Sequence, residues 1–326
     1  MYQLNEKYHI GIDIGGTKIL AVIANKYGLI YGTATRKTPA LSDATSIVKS
    51  LAYTATEAAD NAGIKINHVD TIGLAAAGAI DSSNGTIIYS PHLPTLVNTP
   101  VGSMLREMLT PSIYVGNDAN LAALGEKAFG AGKFVNNFVF ITISTGIGGG
   151  IIIDNKLWTG SSGYAGELGH MTINALGPYG KSATPGAWES LCSGSALTRI
   201  AKERIDMGEN SSLKRIVESS RAQKLTAEDI FSASIDGDDL ANQIIDDAIF
   251  YLGTGLTSIV NVLSPEKIII GGGLSNQWEN YVTPAIKLMH QQAYADSWKS
   301  VDVVPSELGA NAGALGAIVF SQQFSK

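Results

Sequence analysis

The stretch His9-Ile10-Gly11-Ile12-Asp13-Ile14-Gly15-Gly16-Thr17-Lys18 decides how the rest of the chain is read. Apolar residues run into Asp13, two glycines follow, and a second apolar run from Ile19 to Ile23 leaves the pair. That order predicts a β-hairpin in which Gly15 and Gly16 take the positive φ angles of a tight turn. Successive backbone N–H groups in such a turn converge on an anion, and the Thr17 hydroxyl and Lys18 ammonium add donors and charge. Asp13 is placed to hold a Mg2+ shell. The same residues also read as an ordinary hairpin with a polar tip, since short glycine-rich matches are frequent.

An internal echo raises the weight of the first reading. Phe138 to Ile143 is an apolar run, Ser144-Thr145-Gly146-Ile147-Gly148-Gly149-Gly150 is read as a glycine-rich turn, and Ile151 to Ile153 as the returning strand. Both motifs end in a polar turn, and the spacing is 12 residues from Asp13 to Asn25 and from Thr142 to Asp154. Two like hairpins with phosphate-sized tips predict two duplicated halves facing one cleft, with a single nucleotide held between the tips.

Further candidates follow in chain order. The strand His68 to Ala75 feeds Ala75-Ala76-Ala77-Gly78, where small side chains allow either a ligand or a packed helix to approach the backbone. The segment from Asp81 to Pro100 reads as a hairpin or loop carrying His92 and Asn98, and Thr99-Pro100 as a helix start with proline at the first helical position. Asn117-Asp118 falls where a strand gives way to a helix. Asp118 is there an N-cap carboxylate or, at the carboxyl end of a parallel strand, a catalytic one. Glu167 and His170, three residues apart in a glycine-rich loop, can chelate a metal or take hydrogen bonds from sugar hydroxyls; they also read as a surface acid and a core histidine. Trp188-Glu189 closes the next loop. Gly271-Gly272-Gly273 follows a buried strand and lets the backbone lie flat against a planar ring or a phosphate, ahead of a helix near Gln277 to Gln291.

A chain of 326 residues is long enough for two domains and a core that needs no disulfide or structural metal. Hydrophobic residues at 45% and charged residues at 16% fit a soluble globular protein. The net charge of −6 argues against a sequence-independent grip on nucleic acid. One cysteine, Cys192, leaves no intrachain disulfide and fits a reducing cytoplasm, where it is expected as a small core residue. Neither a signal-peptide core nor a membrane span is expected from the N-terminal residues.

Taken together and in order, these motifs resemble the ROK family of sugar kinases and repressors, and its glucokinases most of all. The resemblance runs from Asp13 to Gly316 and rests on Asp13 to Lys18, Gly116 to Asn120, Ser144 to Gly150, Gly166 to His170, Glu189 with Ser193-Gly194, and Gly271 to Gly273. It implies a two-domain α/β actin-like ATPase (ribonuclease H-like) fold with the active site in the interdomain cleft. The smaller domain is expected at 1–117 plus 305–326 and the larger at 118–304.

By that resemblance Gly15, Gly16, Thr17, Lys18, Thr145 and Gly146 hold the ATP phosphates, and Gly271, Gly272 and Gly273 lie near the adenosine. Asp118 is the general base; Gly78, His92, Asn117, Glu167, His170 and Glu189 surround the sugar. ATP with Mg2+ is the implied donor, glucose phosphorylated at O6 the implied substrate, and a cytoplasmic homodimer the implied assembly. An N-acetylmannosamine or fructose kinase is the alternative within the family. A sugar-responsive repressor is disfavoured, because a helix-turn-helix module is expected before a first strand that here begins near Tyr8.

Two departures from the family pattern stand out. Its zinc-binding run carries three cysteines that act with a histidine; here Gly180, Ser182 and Ala187 occupy those positions and none supplies a thiolate, so no structural zinc is expected. In Ser90-Pro91-His92-Leu93-Pro94, His92 stands where the glucokinases usually carry Asn, which bears on the choice of sugar.

Overall fold

The computed structural model describes residues 7–179, 184–218 and 225–324. In chain order the elements are β1 (Tyr8–Ile14), β2 (Lys18–Asn25), β3 (Ile30–Lys37), α1 (Ala44–Asn61), β4 (Val69–Ala76), β5 (Ala79–Asp81) and β6 (Thr86–Tyr89). Next come α2 (Val101–Arg106), β7 (Ser112–Asn117), α3 (Asp118–Phe129), β8 (Phe138–Ile143), β9 (Ile147–Ile153) and β10 (Lys156–Leu157). The rest are α4 (Trp188–Cys192), α5 (Gly194–Asp206), α6 (Lys214–Glu218), α7 (Ala227–Ile235), α8 (Asp239–Leu263), β11 (Lys267–Gly271), α9 (Thr283–Gln292), β12 (Asp302–Pro305) and α10 (Ala312–Gln322).

The duplication is visible in the sheets. One five-stranded sheet has the order β3-β2-β1-β4-β7 and the other β10-β9-β8-β11-β12, the same pattern of a meander followed by two crossovers. In the first, β1 and β2 are antiparallel, while β1, β4 and β7 run parallel, so their carboxyl ends lie on one edge.

Alternation along β1 assigns its two faces. Ile10, Ile12 and Ile14 enter a core with Ile47, Leu51 and Ala55 of α1. His9, Gly11 and Asp13 fall on the opposite face, toward α10. A Cβ on Gly11 would stand 1.8 Å from the Ala314 carbonyl oxygen, and one on Gly73 of β4 would stand 1.9 Å from that of Ala317. The backbone of α10 therefore lies directly on the sheet, over positions where only glycine fits. His9 Nδ1 meets Thr71 Oγ1 at 2.8 Å, and Thr71 Oγ1 meets Ser321 Oγ of α10 at 2.8 Å, which satisfies buried polar atoms on this face.

The described residues fall into two compact units, one within Met1–Phe140, Gly150–Gly166 and Ser306–Lys326, the other within Ile141–Gly149 and Glu167–Pro305. This division differs from the expected boundary at 118, because α3 belongs with the first unit. Gly125 of α3 and Gly316 of α10 let those helices touch backbone to backbone: a Cβ on Gly316 would fall 1.6 Å from the Leu121 carbonyl oxygen. Fully buried Glu126 extends the join, accepting from Ala131 N at 2.8 Å, from Leu308 N at 3.0 Å and from the Ser306 hydroxyl.

In the second unit Trp188 and Tyr281 are the largest wholly buried side chains. The helix expected over 277–291 is three segments, a 3-10 turn Gly273–Gln277, a π turn Trp278–Val282, and α9. Pro284 at the start of α9 has no N–H for the carbonyl one α-turn back, which lets the preceding turn widen. Cys192 is buried and free. Among the described residues no helix is long and apolar enough to cross a membrane.

Candidate active site

In the first unit the Gly15–Thr17 turn is closed by Gly15 N donating to Lys18 O at 2.9 Å. Thr38 braces it from β3, its N donating to Thr17 O at 2.9 Å and its hydroxyl to Gly15 O at 2.8 Å. Neither Gly15 nor Gly16 has positive φ, contrary to the expectation for a tight hairpin. The reason for glycine is space: a Cβ on Gly16 would stand 3.1 Å from His92 Cβ, so the imidazole packs on the turn. Thr17 and Lys18 are exposed at its tip.

Strand pairing places Asp13 beside Ala75 and Ala75 beside Gly116, one row across three parallel strands. At Gly116 the space over the row is taken by Leu121 of α3, whose Cδ2 would stand 3.0 Å from a Cβ there. The cap of α3 is Asn117, whose Oδ1 accepts from Asn120 N at 3.1 Å, so the carboxylate of Asp118 is not spent on capping. The other end of the Asn117 amide donates to Gly78 O at 3.2 Å and joins two predicted site residues. Gly78 has φ +112 and lies so close to Tyr89 O that a Cβ would stand 2.1 Å from it.

Asp13 and Asp118 are close enough to interact. Burial raises the Asp13 carboxyl to about 7, the Asp118 charge pushes the same way, and Lys18 opposes both. Asp118 is also raised by burial, against the Ala119 N–H and the charge of His92, which favour its ionised form. A partly buried carboxylate pair beside a phosphate-sized turn suits a hard divalent cation, which would relieve the repulsion. Asp13 fits Mg2+ on this ground. Its Oδ2 lies against Gly313, where a Cβ would stand 2.6 Å away.

In the second unit the corresponding turn is Ser144–Gly146, with Ser144 N donating to Gly146 O at 2.8 Å. Gly148, Gly149 and Gly150 are part of β9 and not of the turn, as the ladder resumes at Ile147. The first N–H groups of α5 hold the turn, Gly194 N to Ser144 O at 2.8 Å and Ser195 N to Thr145 O at 3.1 Å. Gly272, with φ +89, packs on Ile143 at the end of β8, and a Cβ on Gly273 would stand 3.7 Å from Ser144 Oγ, which sets the triple glycine at the start of that turn.

Glu189 reaches the same turn, its Oε2 accepting from Ile147 N at 3.0 Å. It stands in the first turn of α4, fixed by Trp188 Nε1 donating to Tyr251 O at 2.9 Å and by Tyr281 donating to Cys192 O. Gly169 brings the Glu167–His170 turn against Ile147, where a Cβ would stand 2.1 Å from the carbonyl oxygen. Glu167 Oε2 and His170 Nε2 are 3.7 Å apart and about half exposed, so both face outward from that turn.

Of the positions where family members carry zinc ligands, Gly180 and Ser182 lie outside the described residues, and Ala187 is the buried residue before α4. The described ends of that loop are pinned by backbone bonds, Ile173 N to Gly186 O at 2.9 Å, Gly186 N to Pro178 O at 2.8 Å and Trp188 N to Met171 O at 2.8 Å. Among the described residues no group of three or more His, Cys, Asp or Glu side chains is placed to hold a metal.

The predicted residues thus form two sets, each gathered by its own unit: Asp13, Gly15 to Lys18, Gly78, His92, Asn117 and Asp118 in one, and Thr145, Gly146, Glu167, His170, Glu189 and Gly271 to Gly273 in the other. Sequence reasoning missed Thr38, which carries no local signal, and the Glu189–Ile147 bond. The small residues of α10 were a signal for the Gly313 contact with Asp13.

The ROK family model matches residues 9–323. The glucokinase of Thermotoga maritima is 31% identical over 308 residues, 94% of this chain and 95% of the relative. The crystal structure of a ROK family glucokinase from Streptomyces griseus in complex with glucose and AMPPNP superposes with a TM-score of 0.81 at 30% identity, covering 98% of this chain and 100% of that one. A xylose repressor of Caldicellulosiruptor bescii is 28% identical over 309 residues, 95% of this chain and 76% of the relative.

Proposed function

This chain belongs to the ROK family, with its two-domain actin-like ATPase fold, and we propose that it is an ATP-dependent sugar kinase that phosphorylates glucose at O6. The observation that carries the proposal is the Asp118 carboxylate, free of capping duty and near Asp13 at the edge that also bears the Gly15–Thr17 turn. A base beside a phosphate cradle is the minimum a phosphoryl transfer to a hydroxyl requires.

In the proposed reaction the sugar hydroxyl oxygen attacks the γ-phosphorus and forms the new O–P bond. The bond from that phosphorus to the β–γ bridging oxygen breaks, and its electron pair leaves with ADP. Asp118 takes the hydroxyl proton and returns it to solvent after product release. Burial makes Asp118 a stronger proton acceptor than an ordinary carboxylate. In the first unit the exposed Thr17 and Lys18 and the turn amides would receive phosphate oxygens, and the Ser144–Gly146 turn of the second unit offers amides of the same kind. Asp13 would hold Mg2+, whose charge screens the phosphates. Glu167, His170, Glu189, Asn117, Gly78 and His92 form the sugar contacts of the proposal, with the protein a cytoplasmic homodimer whose assembly light scattering tests.

The test is ADP production from Mg2+-ATP against glucose, mannose, fructose, N-acetylglucosamine and N-acetylmannosamine. Glucose is expected to turn over fastest. Preference for an N-acetylated sugar or fructose would replace the glucose assignment, and turnover on none would refute the kinase reading in favour of a sugar-responsive role of the repressor kind.

A further inference from the structure

Glu189 is in an unexpected place for a residue whose only task is a sugar hydroxyl. Its Oε2 accepts the Ile147 N–H at 3.0 Å, and a Cβ on Gly146 would fall 2.2 Å from that same oxygen. Gly146 is therefore the residue that makes room for the carboxylate against the turn. The bond to Ile147 N fixes where the turn gives way to β9, and the α5 N–H groups fix Ser144 and Thr145. The turn is braced at both ends.

The brace carries a charge of the wrong sign for a phosphate. A carboxylate against a turn that receives phosphate oxygens repels them, and like charges at this range in a partly desolvated site are costly. That repulsion weakens when a hydroxyl donates to the second oxygen, Oε1, which stands farther from the Gly146 position at 3.7 Å.

Resting on the kinase reading above, we propose that Glu189 couples the two substrates. It braces the Ser144–Gly146 turn through Ile147 N–H and holds a negative charge against the donor phosphates until a sugar hydroxyl donates to it, so that sugar binding tightens donor binding. The consequence is protective. A donor that binds well only after the sugar is less exposed to hydrolysis by water.

The test is the affinity of the full-length protein for Mg2+-AMPPNP by calorimetry, with and without a saturating concentration of whichever panel sugar turns over fastest. In the wild type the sugar is expected to tighten AMPPNP binding by about 5-fold or more, the lower range of measured couplings. Glu189→Gln keeps an acceptor for Ile147 N–H and removes the charge. It should bind AMPPNP more tightly than wild type with no sugar present, by about 3-fold or more, and the sugar effect should fall below about 2-fold. Gly146→Ala, which drives a methyl group into Oε2, should weaken sugar-free AMPPNP binding and serves as the second variant should Glu189→Gln not fold. Equal sugar-free affinities for wild type and Glu189→Gln, with the same sugar effect in both, would make Glu189 a sugar contact alone and overturn the proposal. Absence of turnover on every sugar would refute the kinase reading separately, while the sugar-free comparison still decides the brace.

Discussion

Replacing Asp118 by Asn is expected to move activity and stability in opposite directions. Asn keeps the size and the position at the start of α3, and the cap on Asn117 is untouched, so the helix should not be disturbed. Turnover should fall by at least about 10²-fold, the lower range for a positioned general base. Stability should rise. Holding Asp13 at about 7 instead of 3.8 corresponds to ~4 kcal/mol against its ionisation. Burial is the larger cause, the Asp118 charge the second and Lys18 opposes both, so the share that Asp118 imposes is on the order of 1–2 kcal/mol. The burial of the Asp118 charge itself adds in the same direction. The sign with pH follows from linkage. Native Asp13 keeps its proton up to about 7 while the unfolded chain releases it near 3.8, so its contribution is full at low pH and lost as pH rises through 7. The gain from Asp118→Asn should therefore be largest above pH 7 and vanish near pH 4. In chelator-containing buffer at pH 8, Tm should rise by about 2–5 °C. A Tm that stays or falls at pH 8 would refute the proximity of the two carboxylates, and turnover within about tenfold of wild type would refute the base.

Two further outcomes concern the scaffold that positions this site. Glu126→Ala leaves three donors, Ala131 N, Leu308 N and the Ser306 hydroxyl, without their acceptor; at about 1–3 kcal/mol for each buried orphan, Tm should drop by about 10 °C, and a drop under about 2 °C would show that water replaces the carboxylate freely. His9 is held below its ordinary 6.5, chiefly by burial, so its contribution is full above that value and lost as pH falls through 6.5 toward the folded value. Melting at pH 7.5 and 5.5 should show a smaller acid-induced loss for His9→Gln than for wild type, and equal losses would place the acid sensitivity elsewhere.

The fold was legible because its signals are local and repeated. An apolar run, a glycine pair, a second apolar run and a polar turn occur twice, and both sheets keep the same strand order. The carboxyl end of a parallel strand could be inferred for Asp118 from a strand that gives way to a helix, but its nearness to Asp13 could not, since that comes from the pairing of β1, β4 and β7. Element ends were harder. Pro100 is the cap of α2 and not its first residue, because the chain enters that helix from a bridge between Ile87 and Thr99 that no local propensity announces. The boundary between units was displaced by α3, since its packing on α10 joins residues nearly two hundred positions apart in a chain read from left to right.

The glycines show why the site itself was only half legible. In a sequence, Gly-Gly in a turn is read as a demand on φ; that reading applies to Gly15 and Gly16, where φ is not positive, while Gly78 and Gly272, read only for close approach and a flat backbone, have φ +112 and +89. At Gly16 and Gly146 φ is not positive, and the demand is steric. Each leaves a gap that a side chain from far along the chain enters, His92 in one unit and Glu189 in the other. Sequence displays the missing Cβ but not the group that takes its place. Both occupants are residues singled out for sugar contacts, and both pack on turns singled out for phosphate. If the proposed roles hold, the two substrate functions would share one set of van der Waals contacts in each unit, and a substitution at His92 or Glu189 also alters the turn it packs against. Exchanging His92 for Asn accordingly changes the packing on the Gly15–Thr17 turn, so under the proposed function donor and sugar affinities must be measured together to read it.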